Sequence, residues 1–106
     1  MRQFSAQQLH DHLLQSDDPP QLLDVREEWE FAYCHIEHSL LIPMGEIHTR
    51  LGELDPEREI VVICHHGIRS RQVGRFLEYQ GFKNVVNLEG GVEDWAEYID
   101  SQMPRY

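Results

Sequence analysis

Four branched aliphatic residues in succession, Ile60, Val61, Val62 and Ile63, constrain this chain more than any other stretch. With no polar residue alternating among them, they predict a strand buried on both faces, as in a parallel sheet covered by helices. Cys64 follows at once, then a short passage through His65, His66, Gly67, Ile68 and Arg69. From Ser70 the pattern turns helical: Val73, Phe76, Leu77 and Gln80 fall at helical spacing, and Gly81 is a C-terminal stop. Strand, loop and helix in that order set Cys64 at the carboxyl end of a central strand, facing the amino end of a helix. Open α/β sheets carry their chemistry there. Backbone N–H groups of such a loop, together with the helix dipole, cradle negative charge. The thiolate is the nucleophilic form of cysteine, so the position suits a nucleophile.

A second reading stands beside this one. Free cysteine is among the most buried residue types, and a cysteine closing a core strand can be a small apolar filler. Filler needs neither Gly67 three residues on nor the polar His65 and His66 beside it. Arg69 and Arg71 also fall in or just before the first helical turn, where a cation opposes the dipole by roughly a few tenths of a kcal/mol. An anion to meet them accounts for their presence, and the nucleophile reading leads.

At 106 residues the chain reads as one domain, residues 1–106, long enough for a core without disulfides or metal. The formal charge of −10 argues against direct nucleic-acid or anionic-membrane binding through the overall field. Arg26, Arg69, Arg71 and Arg75 could still supply a small basic site. No apolar run reaches membrane-spanning length, and the first residues lack a signal-peptide core. The 2 cysteines then imply free thiols and a cytoplasmic location.

Along the chain, Phe4 belongs to a short first strand. Ser5 and Gln8 form a capping-box pattern before a short helix whose apolar face is Leu9, Leu13 and Leu14. Asp17, Asp18, Pro19 and Pro20 make an exposed turn. Residues 21–25 are a buried strand. Residues 27–33 are a brief helix, acidic at its start, with Trp29 and Phe31 available for packing. Residues 40–42 are a third strand stopped by Pro43, and residues 45–51 a short helix with Ile47 and Leu51 inward and Gly52 as its stop. After the Cys64 loop and its helix come a strand at 85–88, a tight corner at Gly90 and Gly91, and a last helix at 92–101 that buries Trp95 and Ile99. Strands alternating with helices predict an α/β fold with a mostly parallel central sheet of four to five strands.

Three stretches carry a family resemblance. Residues 23–31 (Leu-Asp-Val-Arg-Glu-Glu-Trp-Glu-Phe), then His35-Ile36 and Ile42-Pro43, resemble the amino-terminal signature of the rhodanese homology domain. Residues 64–70 (Cys-His-His-Gly-Ile-Arg-Ser) are similar to that family's active-site loop, and residues 87–95 (Asn-Leu-Glu-Gly-Gly-Val-Glu-Asp-Trp) to its carboxyl-terminal signature. The resemblance covers about residues 4–99. It implies a small three-layer domain, helices on both faces of the sheet, and sulfurtransferase chemistry without a cofactor. A Cys64 thiolate would take the sulfane sulfur of thiosulfate or another donor, carry it as a persulfide, and pass it to cyanide or a thiol. A protein donor or acceptor would serve equally.

On that resemblance Cys64 is the nucleophile, splitting one transfer into two steps. His65, His66, Gly67, Ile68, Arg69 and Ser70 form the substrate-binding loop, whose N–H groups stabilise the anionic persulfide. Gly67 permits a conformation closed to residues with a Cβ. Arg69 is the candidate to hold a dianionic donor, since a guanidinium fork suits its oxygens; a structural ion pair is the competing role. Asp24 and Arg26 read as structural, with Asp24 bonding loop backbone or an arginine. Two departures are local: Cys34 stands where glycine is common, and Glu37, His38 and Ser39 stand where small residues are common. Cys34 could resolve an oxidised Cys64, or be a partly buried turn residue.

Other classes fit less well. Cysteine phosphatases and arsenate reductases need five residues between cysteine and arginine, and here four separate Cys64 from Arg69. No aspartate is placed as general acid. Cys34-His35 and Cys64-His65-His66 lack ligand spacing, so no metal is expected. The remaining alternative is a persulfide carrier or partner-binding module with little turnover.

Overall fold

The computed structural model describes residues 1–106. Its centre is a five-stranded sheet in the order β1-β5-β4-β2-β3, with every neighbouring pair parallel. The strands are β1 (Arg2–Phe4), β2 (Gln21–Asp24), β3 (Leu40–Leu41), β4 (Ile60–Ile63) and β5 (Val85–Leu88). β4 lies between β5 and β2, with Val61 opposite Val86 on one side and Leu22 on the other. All four of its residues are inaccessible to solvent, as the unbroken aliphatic run requires.

Side chains alternate across that strand, and the alternation builds two cores. Val61 and Ile63 join Val86, Leu88 and Leu22 beneath helices α1 (Ala6–Gln15) and α4 (Gly91–Tyr98). Ile60 and Val62 face the other way, with Val85 and Leu23, against Val73 and Leu77 of α3 (Ile68–Tyr79) and against Ile47. Helices therefore cover both faces, giving the three layers that the resemblance implies. Cys64 continues β4 on the α3 side and is 1% exposed. No helix is long and apolar enough to cross a membrane.

Several local expectations are corrected. Ser5 and Gln8 do close a reciprocal capping box on α1, but Leu14 is 72% exposed. At about 100° per residue, Leu13 shares the face of Leu9 while Leu14 swings away from it. Residues 45–51 do not form one helix; they lie in two 3₁₀ turns, Met44–Thr49 and Leu51–Glu53, so Gly52 sits inside a turn instead of ending one. The helix after the loop begins at Ile68, with Gly67 as its N-cap, and the last helix ends at Tyr98. Trp29 on α2 (Glu28–Tyr33) is 63% exposed and touches the ring of Tyr106 edge-on. His38 adopts φ +71, in the left-handed region that favours glycine.

Candidate active site

β4 delivers Cys64 to the floor of the loop formed by residues 64–70. The Gly67 N–H donates to Cys64 Sγ at 3.0 Å, and the thiol lies 3.3 Å from Ser70 Oγ. The first N–H groups of α3 have no intrahelical acceptor and open from the same end of the helix. The Ser70 hydroxyl donates to Asn87 Oδ1 at 2.5 Å. Asn87, 2% exposed on β5, donates from Nδ2 to Gly67 O at 3.2 Å and to Gln3 Oε1 at 2.9 Å. One buried amide thus ties together the thiol's neighbour, the loop backbone and the edge strand.

The β5–α4 corner holds this side of the loop by backbone contact. Gly67 has φ +95, and a Cβ there would lie 1.9 Å from Glu89 O. Gly91 has φ +61, and its Cβ would meet His65 O at 2.3 Å. That approach lets Val92 N–H donate to Cys64 O at 2.9 Å and Glu93 N–H to His65 O at 3.1 Å. Glycine is required at both places.

The opposite flank is built from side chains. Arg69 makes a two-pronged pair with Glu30 on α2, at 2.8 and 3.0 Å. Glu30 is only 4% exposed, and the Arg69 guanidinium holds its carboxyl down at about 2. Tyr106 Oη also donates to Glu30 Oε2 at 2.7 Å, and burial pushes that phenol up to about 12. Arg26, fully buried, donates to Tyr106 Oη at 2.8 Å, to Cys34 O at 2.7 Å, and by two nitrogens to the Asp24 carboxylate. The structural reading of Asp24 and Arg26 therefore holds.

Arg69 fares differently. Its terminal nitrogens pair with Glu30, the ion-pair role that competes with anion holding, while the side chain stays 36% exposed. His65 and His66 stack on each other with centroids 3.9 Å apart, and Tyr106 stacks on His65 at 3.9 Å. Burial, then His66, pushes the His65 imidazole down, which favours its neutral form. His66 and Ile68 are exposed. Cys34 packs in the α1/α4 layer, on the face of the sheet opposite Cys64. Its Sγ stands 3.9 Å from Arg26 Nη1, a packing position. No three histidine, cysteine or acidic side chains are placed to hold a metal ion. Surface cavities of about 210, 430 and 280 Å³ open elsewhere, and none includes Cys64.

Glu30, Asn87 and Tyr106 complete the site and were not singled out from the sequence. Asn87 lies within the third signature, where its break in an aliphatic strand was the available signal. Glu30 read as an ordinary first-turn acid, and Tyr106 carried no signal.

The profile of the Rhodanese-like domain matches residues 5–98. The chain belongs to the rhodanese-like domain family. Among solved structures, a rhodanese-like domain protein from Staphylococcus aureus superposes with a TM-score of 0.84 at 35% identity, covering 90% of this chain and 91% of that one. Thiosulfate sulfurtransferase GlpE of Actinobacillus pleuropneumoniae is 35% identical over 74 residues, 70% of this chain and 68% of that protein. A candidate sulfur carrier protein of Bacillus subtilis is 43% identical over 81 residues. That match spans 76% of this rhodanese-like chain but only 44% of the longer relative.

Proposed function

We propose that this chain is a sulfurtransferase that works through a persulfide on Cys64. The thiolate attacks the sulfane sulfur of thiosulfate or another persulfide donor. An S–S bond forms to Cys64, the donor's bond to that sulfur breaks, and its electron pair leaves with sulfite or with a thiolate. Cyanide or an acceptor thiol then attacks the outer sulfur and returns the Cys64 thiolate. The observation that carries this reading is the Gly67 N–H aimed at Cys64 Sγ from 3.0 Å, in a loop ending at the amino terminus of α3. Such a donor stabilises negative charge on sulfur in both thiolate and persulfide. His65, His66, Ile68, Arg69 and Ser70 form the rest of the binding loop. The similarity to a thiosulfate sulfurtransferase supports the enzyme reading, and the similarity to a sulfur carrier candidate supports a carrier that loads without turning over. The two free thiols suit a reducing cytoplasm.

The deciding measurement is the mass of the protein and of its Cys64 peptide after incubation with thiosulfate or a low-molecular-weight persulfide, beside Cys64→Ser. One added sulfur on Cys64, absent from the variant, is the expected result. A cyanide chase then separates turnover from carriage. No added sulfur with either donor would overturn the proposal.

A further inference from the structure

The loop's own cation, Arg69, is already paired with a carboxylate. Glu30 takes one N–H from each Arg69 Nη and neutralises the guanidinium, so a small dianion beside it meets an ion pair instead of a free cation. The other arginines offer little in its place. Arg26 is sealed in the interior against Asp24. Arg71 and Arg75 stand exposed on α3, where water screens a single charge pair.

What adjoins the loop instead is aromatic. His66 stacks on His65 and His65 on Tyr106, whose ring is met edge-on by Trp29 at 5.5 Å and Tyr33 at 5.7 Å. Trp29 is 63% and Tyr33 50% exposed, so the platform begins one residue from Cys64 and ends in open solvent. Large apolar side chains gathered at the surface beside a reactive group mark a place where something apolar rests.

From this juxtaposition we infer that the loop takes its sulfur from an organic donor of low charge, whose apolar or aromatic group lies on the Trp29–Tyr33–Tyr106 platform, in preference to a small dianion. The inference rests on the proposal that Cys64 carries sulfur. With a thiosulfonate, R–SO₂–S⁻, the Cys64 thiolate attacks the terminal sulfur, the S–S bond to Cys64 forms, and R–SO₂⁻ leaves with the electron pair of the broken bond. With an organic persulfide, R–S–SH, the leaving group is R–S⁻. Neither transfer needs an added oxidant or reductant.

Thiosulfate, methanethiosulfonate and benzenethiosulfonate separate the two effects, because charge falls between the first and second and a ring is added between the second and third. Cys64 loading by each is followed by mass, and each rate is divided by that donor's rate with free cysteine. The expected order is benzenethiosulfonate above methanethiosulfonate by about tenfold, the size of one aromatic contact, with thiosulfate last. Trp29→Ala and Tyr33→Ala, both at exposed positions, should each shrink the ratio of the two thiosulfonates. Glu30→Gln, which frees the Arg69 fork, should raise thiosulfate relative to methanethiosulfonate. Thiosulfate matching the aromatic donor after normalisation, or an unchanged thiosulfonate ratio in both aromatic variants, would overturn the inference while leaving sulfur transfer intact. Failure of all three donors to load Cys64 would overturn the underlying proposal as well.

Discussion

On its β5 flank the Cys64 loop is held by backbone against backbone, whereas on its α2 flank it is held by charged and aromatic side chains. The first flank has two glycines with positive φ, pressed on carbonyls of the facing segment, and two N–H donors from α4. The second has Glu30, Arg69, Arg26, Asp24 and Tyr106 joined through their terminal atoms. A backbone wall tolerates no added atom but fixes the loop's shape. A side-chain wall presents charge and aromatic surface beside the loop. Backbone fixes the shape of one flank, and side chains set the charge and surface of the other.

The largest effect should come from the backbone flank. Gly67→Ala places a Cβ 1.9 Å from Glu89 O at φ +95, and should cost about 4 kcal/mol or more in chemical unfolding. A loss below about 1 kcal/mol would show that this wall yields. Next comes Arg26→Met, which strands the Asp24 carboxylate in the interior at 0% exposure. An expected loss of about 3–5 kcal/mol follows from breaking a buried pair at one end.

Acid should reach the side-chain flank selectively. The folded Glu30 carboxyl titrates at about 2 against an ordinary 4.5, so its contribution is complete above the ordinary value and is lost as pH falls toward 2. Unfolding free energy measured from pH 6 down to 2 should show the excess of wild type over Glu30→Gln shrink, by up to about 3 kcal/mol. A constant difference across that range would place the carboxyl outside the pair. The smallest effect belongs to Ser70→Ala, which removes the link between Cys64 and Asn87 and should cost about 1–2 kcal/mol.

These flanks also differ in how far the sequence reveals them. The aliphatic run at Ile60–Ile63, the cysteine after it and the glycines at 67 and 91 leave local marks, because burial on two faces and positive φ restrict residue type at the position itself. Fold class, sheet direction and the placing of Cys64 are legible from them. The pairing of Arg69 with Glu30 is not, since an arginine carries the same letter whether its partner is a substrate or a carboxylate 39 residues earlier. Tyr106 reaches Arg26 across 80 residues, and nothing near either residue announces it. Leu14 and the 3₁₀ turns are not legible for a smaller reason: apolar spacing over a few residues fits a helix in more than one phase and tightness.

Helix α4 has no side-chain cap, and the N–H groups of Val92 and Glu93 are satisfied by the carbonyls of Cys64 and His65. A helix of 8 residues is well below the length that stands alone in water. We expect it to form only once β4 and its loop have assembled, after the rate-limiting barrier of folding. Weakening it with Ala96→Gly should speed unfolding in stopped-flow measurements and leave the refolding rate nearly unchanged. The Cys64 loop would then be a folding template for the last helix.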